Sequence, residues 1–205
     1  MTGNVDGPSV RAVVLTGGRS TRMGAAKATL VLGGLRLVDR LVAACREAGL
    51  EVTIAGAAPP GLAGITLADP PGIAGPAAGL AAAMRAYPGT DIVLLATDQP
   101  YVRPATLRGL MATPGAAVVP VQGRRQTLCA LYRAECAEAL ERLLGETAAP
   151  SLQTLLDRVA TAEVEPAAWA RWGEDGRSWI SLDTPDRWEA AAAAWPEPPL
   201  ATIAP

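Results

Sequence analysis

Short apolar runs alternate with amphipathic stretches along most of this chain. Residues 10–16 and 91–96 are rich in Val, Leu, Ile and Ala, with few polar breaks, as expected of strands buried on both faces. Shorter runs at 50–54, 116–121, 127–132 and 178–182 also read as strands. A hairpin turn falls at Gly123. Between them the spacing predicts helices over 37–48, ended by Gly49, and over 76–87, opened by Pro76 and closed by Pro88-Gly89. Further helices are predicted over 104–111, 135–144, 151–159 and 185–195. This alternation implies an α/β fold, a mostly parallel central sheet between two helical layers. Residues 10–195 read as a single domain, 1–9 as a flexible polar N-terminus and 196–205 as a proline-rich tail.

Ligands of such sheets bind where loops converge at the carboxyl ends of the strands. That directs attention to the loops after Thr16, Ile54, Leu67, Ala96 and Leu182.

Composition narrows the chemistry. The 205 residues carry 18 basic and 20 acidic side chains, a net charge of −2, which argues against a nucleic-acid-binding protein with a broad basic face. No apolar run of membrane-spanning length occurs, and the polar segment 1–9 lacks the basic start and apolar stretch of a signal peptide. Cys45, Cys129 and Cys136 form neither a CxxC pair nor an even disulfide set, so they read as reduced core residues of a cytoplasmic protein. There is no histidine, which excludes Ser-His-Asp and Cys-His catalysis and an imidazole base. Oligomeric state is not legible. Five tryptophans, Trp169, Trp172, Trp179, Trp188 and Trp195, crowd the C-terminal part and are expected to pack into the core.

The stretch from Leu15 and Thr16 through Gly17, Gly18, Arg19, Arg22 and Gly24 to Lys27 is the most informative. Its glycines let backbone N–H groups approach a bulky anion. From Asp6 to Asp39 there are five cations, Arg11, Arg19, Arg22, Lys27 and Arg36, and no intervening acid, a local positive site suited to a polyphosphate. It is neither a Walker A loop nor a GxGxxG loop. Lys27 is the only lysine, against seventeen arginines. A compact ammonium suits a narrow site between phosphates better than the wide guanidinium fork.

Three acids lie in the converging loops. Asp98, just beyond residues 91–96, is placed either to hold Mg²⁺ or to cap the following turn. Asp183 is a second metal ligand or, with Thr184, a cap for the helix at Pro185. Asp69, before Pro70-Pro71, accepts a hydrogen bond from a ribose or base, or is a turn residue. Arg124 and Arg125 at the hairpin either reach an acceptor phosphate or are solvated. Cations for phosphates and carboxylates for a metal describe phosphoryl or nucleotidyl transfer. Without histidine, the favoured acceptor is a phosphate monoester, largely dianionic at pH 7 because its second pKa is ~6.

These residues match a family. Residues 15–27, L-T-G-G-R-S-T-R-M-G-A-A-K, resemble the LAGGxSxRMGxDK signature of the MobA-like nucleotidyltransferases, which include the molybdenum cofactor guanylyltransferases. Asp69 with Gly75–Leu80 resembles the family's D…GPLAGL segment, and Asp98–Val102 its CDTPFI stretch. Gln126–Tyr132 resembles PLfALY, and Leu182–Asp186 resembles INTPEDL. The resemblance implies a Rossmann-like three-layer nucleotidyltransferase domain that transfers a nucleoside monophosphate, most often GMP from GTP to molybdopterin, with Mg²⁺, and releases pyrophosphate. It implies that Leu15, Thr16, Gly17 and Gly18 meet the nucleotide, that Lys27 and Arg22 hold phosphates, that Asp69 helps bind the nucleoside and that Asp98 holds Mg²⁺. The chain departs from the family's pattern at Thr16, Ala26 and Gln99, and at Ala55-Gly56-Ala57 where a base-loop Asn is usual. Asp183 stands where the guanylyltransferases more often carry Asn and the related cytidylyltransferases carry Asp. Nucleotidyl transfer is therefore the firmer expectation, and guanine the more open one.

Overall fold

A computed structural model describes residues 9–16, 27–57, 59–62, 66–68, 72–73, 75–147 and 149–195. Gly17, Gly18, Arg22 and Asp69, the tail at 196–205 and all but the last residue of the N-terminal segment 1–9 lie outside the described residues, as does the side chain of Lys27.

Strand β1 (Val10–Leu15) runs into the glycine-rich loop, and the chain re-enters the described structure in a 3-10 turn at Lys27–Thr29. A small hairpin, β2 (Val31–Leu32) and β3 (Leu35–Arg36), leads into α1 (Leu37–Glu47) and then β4 (Glu51–Ala55) and β5 (Thr66–Leu67). Helix α2 (Pro76–Ala86) carries the chain back to β6 (Asp91–Ala96), followed by α3 (Pro104–Ala112) and β7 (Ala117–Gln122). Then come β8 (Arg124–Arg125), β9 (Ala130–Tyr132), α4 (Ala137–Glu146) and α5 (Leu152–Leu156). Strand β10 (Thr161–Val164), α6 (Pro166–Trp169) and α7 (Pro185–Ala193) complete the described elements.

The central sheet has the order β10-β7-β9-β6-β1-β4-β5, with β8 beside β7. Pairs β1–β4, β1–β6, β4–β5 and β7–β10 are parallel, and only β9 and β8 oppose their neighbours. The predicted α/β architecture is present. Alternate residues of the strands enter two apolar layers. Val13, Ile92 and Leu94 meet α2, α4 and α5, while Ala12, Val14, Val93 and Leu95 meet α1, α3 and the Trp169–Trp179 pair. Burial on both faces explains why β6 carries an almost unbroken apolar run.

Three expectations are corrected. Residues 178–182 form no strand: Arg177–Trp179 is a 3-10 turn, and the Leu182 amide donates to the Asp98 carbonyl at 2.8 Å instead of joining a ladder. One edge strand of the sheet is β10, whose polar Thr161 and Glu163 hid it. The run at 127–132 is shortened to β9, because Cys129 takes φ of +67°, which extended backbone does not allow. The return from β7 is too short for a crossover, which makes β9 antiparallel.

All three cysteines are free and buried, as expected, and burial pushes the Cys45 and Cys136 thiols up to about 12. The tryptophans also pack inward. Trp169 and Trp179 meet edge to face with ring centroids 5.4 Å apart. Trp195 stacks on Tyr101 and carries the Arg40 guanidinium 3.9 Å from its ring centroid. Among the described residues no helix is long and apolar enough to cross a membrane.

Candidate active site

The connection from β1 through α1 moves to β4 on one side, while β6 lies on the other side of β1, so strand order reverses between β1 and β6. A crevice opens outside the carboxyl ends of parallel strands at such a switch point. Register makes this edge even: Leu15 sits between Ala55 of β4 and Ala96 of β6.

Two threonines tie the three strand ends together. Thr97 donates to the Leu15 carbonyl from its amide at 3.3 Å and from its hydroxyl at 3.2 Å. On the other side, the Thr16 amide donates to Ala55 O at 2.9 Å, and its hydroxyl donates to Ala57 O at 2.7 Å. The hydroxyl at position 16, a departure from the family's pattern, thus holds the loop after β4. Gly79 of α2 lets that helix press on the same edge, because a Cβ there would overlap the Leu15 side chain. Gly79, the second glycine of the Gly75–Leu80 motif, thus lets α2 pack closely against the end of β1.

Asp98 is half-buried in the turn after β6. Its Oδ2 accepts from Ser181 Oγ at 2.9 Å, and its carbonyl accepts from the Leu182 amide. The C-terminal segment is thereby brought from far along the chain to the β6 end. Leu15, Thr16 and Asp98 share one sheet edge. The capping alternative at Asp183 resolves onto its neighbour: Thr184 caps α7 by accepting from the Arg187 amide, while Asp183 Oδ1 takes the Arg187 guanidinium at 3.0 Å. Arg125 pairs with Asp157 at 2.5 Å and with Glu163 at 2.6 Å. Arg124 is exposed.

Glu174, which sequence reasoning missed, anchors the segment that delivers Ser181. It is only 4% exposed. Its carboxylate accepts from the Thr106 and Ser178 hydroxyls and from the amides of Asp175 at 2.9 Å and Gly176 at 2.8 Å. Arg103 bridges to Asp175 at 2.7 Å alongside. Glu174→Ala would leave several buried donors without an acceptor, at a cost of about 2–4 kcal/mol. The expected thermal midpoint falls by roughly 5–15 °C for a chain of this size, which a melting curve measures.

The donor chemistry suits a hard cation, since the candidates at this edge are oxygen groups. Among the described residues no three Asp, Glu, His or Cys side chains converge as a closed metal cage. Mg²⁺ needs no such cage. It keeps several waters and takes one or two carboxylates with substrate phosphates.

The basic glycine-rich sequence follows β1, and Asp98 follows the adjacent β6 at the switch point, the layout of nucleotide-binding α/β folds. Residues 12–164 match the MobA-like NTP transferase domain, and the chain belongs to that family of nucleotidyltransferases. It is 31% identical over 178 residues to the molybdenum cofactor guanylyltransferase of Xanthomonas euvesicatoria, covering 86% of this chain and 90% of that protein. The molybdopterin-guanine dinucleotide biosynthesis protein A of Archaeoglobus fulgidus shares the fold, with a TM-score of 0.76 at 21% identity over 90% of this chain and 97% of that one. A Mycobacterium tuberculosis protein solved as a manganese complex also shares it, with a TM-score of 0.66 at 23% identity, covering 91% and 99% of the two chains.

Proposed function

We propose that this protein transfers GMP from GTP to the terminal phosphate of molybdopterin with release of pyrophosphate, using Mg²⁺. The observation that carries this reading is the junction of β1 and β6, where Asp98 is held beside the strand end that launches the basic glycine loop. The guanylyltransferase named above, similar over most of its length, supports the choice of nucleotide and acceptor.

An oxygen of the acceptor phosphate attacks the α-phosphorus, the new P–O–P linkage forms, and the bond to the β-phosphate breaks. The attacking oxygen arrives ionised, so no side chain has to take its proton, in keeping with a chain that lacks histidine. The chain's task is positioning and charge neutralisation. Backbone groups of Leu15, Thr16, Gly17 and Gly18 cradle the nucleotide, Lys27 and Arg22 hold its phosphates, and Asp69 binds the nucleoside. Asp98 would hold the metal, and Asp183, paired with Arg187 in the structure, is the second candidate ligand. When bound, Mg²⁺ neutralises charge on the triphosphate and the departing pyrophosphate. The reduced, buried cysteines fit a reducing compartment such as the cytoplasm.

Asp183 favours a second reading, in which CTP replaces GTP, because related cytidylyltransferases carry Asp at that place. Pyrophosphate release measured with each of GTP, CTP, ATP and UTP, Mg²⁺ and molybdopterin separates the two. GTP is expected to be fastest. Fastest release from CTP would transfer the assignment to cytidylyl transfer. Release only with a sugar phosphate as acceptor would change the acceptor, and nucleotide binding without release would indicate a non-catalytic binding protein.

A further inference from the structure

The terminal torsion of an aspartate is soft, so a carboxylate beyond the end of a strand needs a partner to keep its plane fixed. β6 ends at Ala96, and Asp98 lies past the ladder. The segment from 181 to 182 grips it twice, the Ser181 hydroxyl on Oδ2 at 2.9 Å and the Leu182 amide on the carbonyl at 2.8 Å. That segment has anchors of its own. The Arg187 guanidinium donates to the Ser181 carbonyl at 3.3 Å and to Asp183 at 3.0 Å, and upstream the buried Glu174 binds the turn at residues 175–178. Ser181 is therefore presented to Asp98 by groups that do not depend on its hydroxyl.

We infer that Ser181 is a positioning residue for Asp98: its hydroxyl holds the carboxylate in the orientation that receives a divalent cation. This rests on the reading of Asp98 as the carboxylate that holds the metal. A hydroxyl suits the role because it donates one hydrogen bond without neutralising the negative charge. Partners of this kind typically change metal affinity by about 10–100-fold when removed.

Binding of Mn²⁺ alone to the full chain, followed by the electron paramagnetic resonance signal of the free ion, tests this without turnover. Ser181→Ala is expected to weaken Mn²⁺ binding about tenfold, with a metal-free melting temperature close to the parent's. Ser181→Thr, which keeps the hydroxyl, is expected to bind nearly as the parent does. Asp98→Asn should lose most binding, and the Asp98→Asn/Ser181→Ala double variant should be no weaker than Asp98→Asn, because the two act as a unit. Parent-like Mn²⁺ affinity in Ser181→Ala beside a loss in Asp98→Asn would overturn the role of Ser181 while leaving Asp98 in place. Multiplying effects in the double variant would also overturn it, as would a fall in melting temperature with affinity retained. Parent-like affinity in Asp98→Asn, or no uptake by the parent, would overturn the reading of Asp98 and this inference with it.

Discussion

Lys27→Ala is expected to lower turnover about 100-fold or more, the scale of losing one preorganised charge partner for a transition state. The argument begins with composition: a chain that uses arginine seventeen times keeps its one lysine at the end of the glycine-rich stretch, at the start of the 3-10 turn Lys27–Thr29. An ammonium fits between phosphate oxygens as a point charge, whereas guanidinium demands a broad planar contact. Lys27→Arg is therefore expected to restore less than a tenth of the lost rate, even though the charge is kept. Single-turnover kinetics at saturating nucleotide measure both variants. Turnover within a few-fold of the parent in Lys27→Ala would remove this residue from the chemistry.

The second large effect is expected at Asp98. Asp98→Asn keeps the shape of the side chain and an acceptor for Ser181 but removes the charge that attracts a cation. Turnover should fall about 10²–10³-fold, comparable with loss of a main electrostatic element of an active site. The fall should be partly recovered by raising Mg²⁺, because weaker binding is offset by mass action. A Mg²⁺ titration of the initial rate reads this directly. An unchanged half-saturation point together with a small rate loss would leave Asp98 as a turn residue, the alternative that its place before Pro100 always offered.

Much of the architecture was legible because local pattern and global fold agree. The unbroken apolar run of β6 and the helix opened by Pro76 announce themselves in a few residues. The strand ends were legible too, which is why Leu15, Thr16 and Asp98 fall on one edge as expected. Residues 178–182 misled because their apolar pattern was genuine but served a different purpose. Trp179, Ile180 and Leu182 are buried in a turn and an extended stretch, and the Ser178, Ile180 and Leu182 amides go to Glu174, the Arg177 carbonyl and the Asp98 carbonyl instead of to a ladder. Ser181 and Glu174 escaped notice for a related reason. Their roles consist of contacts with Asp98, 83 residues away, and Thr106, 68 residues away, and no local spacing encodes such a meeting. Thr97 was hidden in plain view next to Asp98, since a threonine after a strand reads as part of a turn until its hydroxyl is seen on Leu15. The sequence leaves Arg125 open between a phosphate and solvent, and its pairing with Asp157 and Glu163 is another long-range contact that no local spacing encodes.

The central claim is that a nucleotidyl group moves from a triphosphate to an acceptor that arrives already ionised. It is tested most directly by incubating the full chain with GTP labelled at the α-phosphate, Mg²⁺ and molybdopterin, and following the label. The account predicts that the label passes into a molybdopterin dinucleotide in step with unlabelled pyrophosphate release. It also predicts that the Asp98→Asn and Lys27→Ala variants form little of it. Label that remains in GTP, while the protein binds the nucleotide, would contradict the account.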